Sequence, residues 1–304
     1  MQRAGVAVIA AVVLSSAVGG AAAREAGGWR KAAPLPLART EVAAAVLGRE
    51  LVVIGGFLAD GRSSPRVDAY SPARNRWRRL PDLPVAVNHA MAASSRGRLY
   101  VVGGYGAPRR AFVFDRGRWR RLPSLPAPRA AAGAAVVGRT LYVVGGVGNG
   151  SLAERALAFD LVRRRWARIP GPTRREHLGA TALGGRVYAV AGRERGTNFD
   201  YFQAYEPARR RWIDLPKVPD PRGGTAAAAI AGRIVSVGGE APEGTEETVY
   251  AYTVRTRRWR RLPDLPTPRH GLGVVSLAGR VYAVAGGPQP GLFVSSANEY
   301  LPLS

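Results

Sequence analysis

Residues 129–170, RAAAGAAVVGRTLYVVGGVGNGSLAERALAFDLVRRRWARIP, decide the fold. A run of small residues, Ala130 to Val137, stops at Gly138-Arg139. Leu141-Tyr142-Val143-Val144 then runs into Gly145-Gly146. A polar loop leads to Ala156-Leu157-Ala158-Phe159 and Asp160. The basic turn Arg163-Arg164-Arg165 precedes Trp166, and Ile169-Pro170 ends the unit. Four short runs of strand-forming residues, separated by turn residues, read as four strands, a to d. No window holds a helical period.

The same unit recurs on both sides. The tryptophans are Trp29, Trp77, Trp119, Trp166, Trp212 and Trp259, with spacings of 48, 42, 47, 46 and 47. Glycine pairs follow the same rhythm: Gly55-Gly56, Gly103-Gly104, Gly145-Gly146, Gly238-Gly239 and Gly286-Gly287, with Ala191-Gly192 in the remaining place. A third series is aromatic: Tyr70, Phe114, Phe159, Tyr205, Tyr252 and Tyr300. Three series with one period give six copies. Four-stranded units repeating every ~45 residues arrange radially as propeller blades. The expected fold is therefore an all-β, six-bladed propeller of antiparallel blades. Strand a, nearest the axis where blades crowd, is rich in Ala and Gly, as in Ala43-Ala44-Ala45 and Ala226 to Ala229. Each Trp is expected to bury against its own blade and the next.

Closure follows from counting. Trp29 precedes the first strand a, while Tyr300 falls in the last strand c and the sequence ends at Ser304. The last blade then lacks its own strand d. Residues 28–31 are expected to supply it, which removes an exposed sheet edge. The six repeats lie between about residue 38 and residue 304.

The small-residue strand, Leu-Tyr-Val-Val-Gly-Gly, the aromatic-acid turn, Trp and the following Leu-Pro-x-Leu-Pro together resemble the kelch repeat. The resemblance covers nearly all of residues 24–304. It implies the propeller fold and leaves function open, because kelch domains include adaptors, carbohydrate-processing enzymes and scaffolds.

Outside the repeats, Arg3, the apolar stretch Ala4 to Ala17 and Ala21-Ala22-Ala23 fit a signal peptide, residues 1–23, cleaved after Ala23. The expected location is outside the cytoplasm: periplasmic, extracellular or on the cell surface. Membrane contact is expected only if the leader is retained. There is no cysteine, which removes disulfides, thiolate metal sites and cysteine nucleophiles. The net charge is +24, and 43 of the 45 basic residues are arginine, Lys31 and Lys217 being the two lysines. That skew fits genome composition or an affinity for acidic polymers. The arginines are spread over every repeat, unlike a nucleic-acid stripe.

Strands alternate in direction, so d–a and b–c loops share one face of the propeller. Aligned blades place Arg39, Val87, Arg129, Arg175, Arg222 and Arg269 in one d–a column. Two residues on stand Glu41, His89, Ala131, His177, Gly224 and Gly271; between them lie Thr40, Asn88, Ala130, Glu176, Gly223 and His270. If the loop keeps strand alternation, Glu41, His89 and His177 share a face with the arginines and His270 points away. In kelch propellers that bind acidic peptides, this loop and residues after the glycine pair line the channel mouth; Arg193 matches the second position. Two readings of the Arg column stand: a ring that captures carboxylates or sulfates, or a repeat feature bonded to backbone carbonyls. The first reading gives a non-enzymatic binding protein for an acidic peptide, protein or anionic glycan, acting as a monomer, with Arg39, Glu41, His89, Arg129, Arg175, His177, Arg193, Arg222 and Arg269 as ligand residues. The alternative is a carbohydrate-active enzyme resembling exported sialic acid mutarotases, with Glu41, Glu176, His89 and His177 as acid–base groups. No catalytic residue is assigned, no cofactor or nucleic acid is expected, and no metal site either: blades two apart are expected to be too distant at the mouth to share bonds of about 2 Å.

Overall fold

A computed structural model describes residues 28–303. The expected signal peptide, residues 1–23, lies outside the described residues. Six four-stranded antiparallel sheets form the blades of one propeller. In blade 1 the strands a to d are Ala43–Leu47, Glu50–Ile54, Val67–Ser71 and Arg76–Leu80. Helix is confined, among the described residues, to one turn at Pro207–Arg209. None of these residues forms a helix long and apolar enough to cross a membrane.

The closing strand is where the repeat count puts it. Blade 6 takes strands a, b and c from Gly273–Leu277, Arg280–Val284 and Asn298–Pro302, and its fourth strand from Arg30–Lys31. Arg30 pairs with Tyr300 and Lys31 with Glu299. Beyond the strand, Ala32 N donates to Asn298 O, Leu35 N donates to Ser296 O and Leu35 is buried.

Two columns of the sequence alignment slip by one residue in blade 6. Elsewhere the aromatic of strand c lies opposite Trp of strand d, as Tyr70 opposite Trp77. In blade 6, Val281 of strand b pairs with Leu301, the position Tyr70 holds opposite Leu51 in blade 1. Tyr300 faces the other way, against Tyr282 and under the guanidinium of Arg280. Likewise the pair at the repeat position is Ala285-Gly286, not Gly286-Gly287. Gly286 N donates to Arg39 O, just as Gly56 N donates to Val87 O. Blades 4 and 6 thus both carry Ala-Gly, with Ala191 at φ 53° and Ala285 at φ 58°.

These pairs are the seam fasteners. In every blade the second residue's N–H donates to the carbonyl of the Arg-column residue in the next blade: Gly104 to Arg129, Gly146 to Arg175, Gly192 to Arg222 and Gly239 to Arg269 complete the set. The first residue sits at positive φ with little room: a Cβ on Gly103 would lie 2.3 Å from Arg129 O. Gly103→Ala is therefore expected to destabilise the protein by more than about 1 kcal/mol, read as a lowered denaturation midpoint. An unchanged midpoint would show that the seam relaxes freely.

The core lies in the seams as well. Six buried clusters each join two neighbouring blades, such as Val52, Ile54 and Ala69 of blade 1 with Leu99, Val101 and Phe114 of blade 2. The tryptophans bridge backwards, not forwards as the sequence suggested. Trp119 Nε1 donates to Pro81 O, Trp166 to Pro123 O, Trp212 to Pro170 O, Trp259 to Pro216 O and Trp29 to Pro263 O. Trp77 reaches Ala33 O, the only non-proline in the series. Leu-Pro at the end of strand d thus presents a carbonyl to the following Trp in four blades, Ile169-Pro170 does so in blade 3 and Ala32-Ala33 in blade 6.

Candidate functional site

The Arg column does not line the channel. Arg39, Arg175, Arg222 and Arg269 are 0% exposed and Arg129 3%. Each guanidinium turns back into its own blade and binds backbone carbonyls of strand b, the b–c loop, the start of strand c or its own d–a loop. Arg175 donates to Ala189 O, Ala191 O and Thr173 O. Arg39 donates to Gly55 O and Arg66 O, Arg222 to Gly238 O and Thr248 O, Arg269 to Ala283 O and Thr267 O, and Arg129 to Arg155 O. Three also meet a polar side chain on strand c: Asp68 for Arg39, Gln203 for Arg175 and Glu299 for Arg269, at 2.5, 2.8 and 2.7 Å. Burial lowers Arg39, Arg129 and Arg175 to about 10. The carbonyl-bonded reading holds, and the carboxylate-capturing ring is withdrawn for these five residues. Strand alternation fails in this loop for a backbone reason. Glu41, His89, Ala131 and His177 all adopt the left-handed region, φ 50–52°, as do Gly224 and Gly271. One such residue reverses the pleat, so positions two apart no longer share a face.

The left-handed residues form a ring around the axis. His89 N donates to Glu41 O, Ala131 N to His89 O, His177 N to Ala131 O, Gly224 N to His177 O and Gly271 N to Gly224 O; Val42 N donates to Gly271 O. Six blades thereby close a cycle of backbone hydrogen bonds. Three ring positions carry long side chains, and all three point to the axis. Glu41 Oε2 lies 3.2 Å from His89 Nε2 and 4.0 Å from His177 Nε2, and the two imidazole centroids are 4.9 Å apart. His270, expected to point away, joins them: its Nδ1 is 3.3 Å from Glu41 Oε1 and 3.7 Å from Glu240 Oε2. Small neighbours make the room. A Cβ on Gly271 would lie 2.6 Å from Glu41 Oε1, and one on Gly287 2.7 Å from His270 Nε2.

Above the ring opens a cavity of ≈ 310 Å³ lined by the four residues named, with Phe57, Tyr105, Arg193 and Glu240 among its walls. Phe57, Tyr105, Arg193 and Glu240 all follow the glycine-pair position of their blades. Short hairpins in the b–c loops of blades 4 and 5, Arg193–Glu194 with Thr197–Asn198 and Glu240–Ala241 with Gly244–Thr245, hold the last two. Arg193 is the one predicted arginine that reaches the mouth, and it is engaged by Glu240 and Glu176. Burial works against charge on Glu41, but His89, His270 and His177 outweigh it and hold the carboxyl well below the usual range. Burial pushes His89 down to about 4, so its ring is neutral at neutral pH. Burial also opposes protonation of His270, yet Glu41 and Glu240 leave it raised overall.

The distance argument against a shared site at the mouth is thus overturned, since ligand atoms of Glu41, His89 and His177 all lie within 4.8 Å of one another. The d–a loops of blades 1, 2 and 4 bring these side chains together on the axis. The signal missed in the sequence was strand c. Its Asp68, Gln203 and Glu299 stand at one register position, where blade 2, which has Val87 instead of Arg, has Phe112. That pairing marks Arg39, Arg175 and Arg269 as partners of the blade interior; Arg129 and Arg222 have Leu157 and Tyr250 at the same position. The second basic set, on the c–d turns, includes exposed Arg74, Arg76, Arg163, Arg164 and Arg257 on the opposite face.

The family model for the KLHDC2/KLHL20/DRC7 Kelch-repeats domain matches residues 111–287, and that for the Kelch motif matches residues 38–84. No curated protein matches the chain. With more than half its length under one such match and six blades of one design, the chain belongs to the kelch-repeat proteins.

Proposed function

We propose that the protein is a non-enzymatic interaction module, acting outside the cytoplasm, that takes a partner protein on the face bearing the axial mouth. Kelch propellers generally mediate protein–protein interaction. The observation that carries the reading here is the apolar rim. Tyr105, Leu292 and Phe293 are 44%, 46% and 46% exposed and belong to b–c loops on this face. Beside them the cavity offers Glu41, His89, His177, His270 and Glu240 as polar groups. Apolar anchors around a small polar pocket fit the anatomy of a binding hot spot. The acidic peptide or glycan expected from the Arg column has no free guanidinium ring to meet there. The carboxylate clamp that sugar mutarotation would use is missing for the same reason, Arg193 being held by two glutamates.

A displayed library of random peptides, selected on the folded protein, tests this. Enriched peptides should lose at least about tenfold in affinity when Tyr105, Leu292 and Phe293 are changed to Ser, because anchors of this kind are worth 1–2 kcal/mol or more. Val162→Ser, on the opposite face, should leave them bound. Equal affinity for both variants would place the binding face elsewhere.

A further inference from the structure

We propose that Glu41, His89 and His177 form a binding site for a divalent first-row transition cation, Zn²⁺ first among them, on the propeller axis. Two imidazoles and one carboxylate are a donor set that suits such ions and leaves a coordination position open. Here the open position faces the mouth cavity.

Three features of the cluster go beyond mere proximity. The first is how the rings are held. His89 presents Nδ1 to Asn88 Oδ1 at 2.5 Å, and Asn88 is itself fixed by Nδ2 donating to Ser63 Oγ. His177 presents Nδ1 to Glu176 Oε1 at 3.3 Å. In both rings Nδ1 faces an acceptor side chain and Nε2 faces Glu41. An acceptor behind each ligating imidazole is the usual outer partner in metal sites. Glu41 is oriented in the same way: Oε1 faces His270, whose Nε2–H donates to Gln289 O, while Oε2 faces the two imidazoles.

The second feature is strain. Glu41, His89 and His177 hold φ values of 50–52°, a region that costs a residue with a side chain free energy and that glycine occupies freely. Blades 5 and 6 do place glycine at this ring position. Large polar residues kept in strained backbone at one point of the axis indicate a function for their side chains. The third feature is charge. Arg193, on the cavity wall, is already balanced by Glu176 and Glu240. A tetrahedral ion with bonds of about 2 Å separates its ligand atoms by about 3.3 Å. The pair already at 3.2 Å meets that spacing, and the third ligand atom closes on it by side-chain rotation.

The experiment is titration of chelator-treated protein with ZnCl₂ by calorimetry and with CoCl₂ by visible absorption. One equivalent should bind with a Kd in the micromolar range or tighter, and bound Co²⁺ should show the intense bands of four- or five-coordinate geometry. Zn²⁺ should also raise the melting temperature. His89→Asn and His177→Asn, which keep a residue tolerant of left-handed backbone, should each abolish the Co²⁺ bands. Asn88→Leu, a change behind the ligand, should weaken binding about 10–100-fold. Absence of stoichiometric binding in the folded wild type overturns the site. So does binding that survives unchanged in both Asn variants, since the ion would then sit on other surface groups. Circular dichroism of each variant confirms that it is folded before titration. The titration needs no partner, so its result is separate from that of peptide selection.

Discussion

Replacing Arg269 by Leu is expected to lower the unfolding free energy by about 3–5 kcal/mol, a fall of roughly 6–15 °C in melting temperature. Arg269 is 0% exposed and its guanidinium neutralises Glu299, which is 2% exposed. Without it the carboxylate keeps only the hydroxyl of Thr267, at 3.0 Å. Two backbone carbonyls lose their donor as well. The cost arises mainly from stranding a buried charge, so the second substitution, Glu299→Leu, should return much of it. Blade 2 already shows that solution, with Val87 and Phe112 in one apolar cluster. Arg175→Leu should cost less, because Gln203 is uncharged. Thermal melts of the two single variants and the double variant give the coupling energy directly. A near-native melt for Arg269→Leu would show that the pair contributes nothing to the fold.

A chain begun at Leu37 should fail to reach the native state or should melt far below the parent. It loses the strand Arg30–Lys31, the Trp29 bond to Pro263 O, the Trp77 bond to Ala33 O and the buried Leu35. Losing Trp29 and Leu35 alone is worth about 5 kcal/mol or more, comparable to the whole stability of an ordinary domain. It also exposes the edge of Asn298–Pro302 to pairing with other chains. Size-exclusion chromatography and melting curves report both effects. A monomer with an unchanged melt would mean that blade 6 stands on three strands.

The blade count, the strand order and the closing segment were readable because tryptophan, glycine and aromatic positions each repeat for a packing reason. Blade 6 misled for the same reason. Gly287 beside Gly286 and Tyr300 beside Leu301 imitate the repeat one residue late, and hydrogen-bond register alone separates them. The mouth was harder. Glu41, His89 and His177 do meet at the axis, but alternation was extended through a loop in which each of them is left-handed. That single backbone state sends the arginines inward and the histidines to the axis. His270 joins them from the neighbouring column because Gly271 and Gly287 leave space. Sequence spacing alone carries none of these close approaches.

The ring of six backbone hydrogen bonds separates closure from chemistry. Its links run between main-chain amides and carbonyls, so the side chains above them are free to differ, as Glu, His, Ala, His, Gly and Gly already do. The axis is in effect a socket with addressable positions on a fixed frame. Ala131, which already holds a Cβ in the left-handed state, is the open address. Exchanging it rewrites what the socket grips while every seam between blades stays as it is.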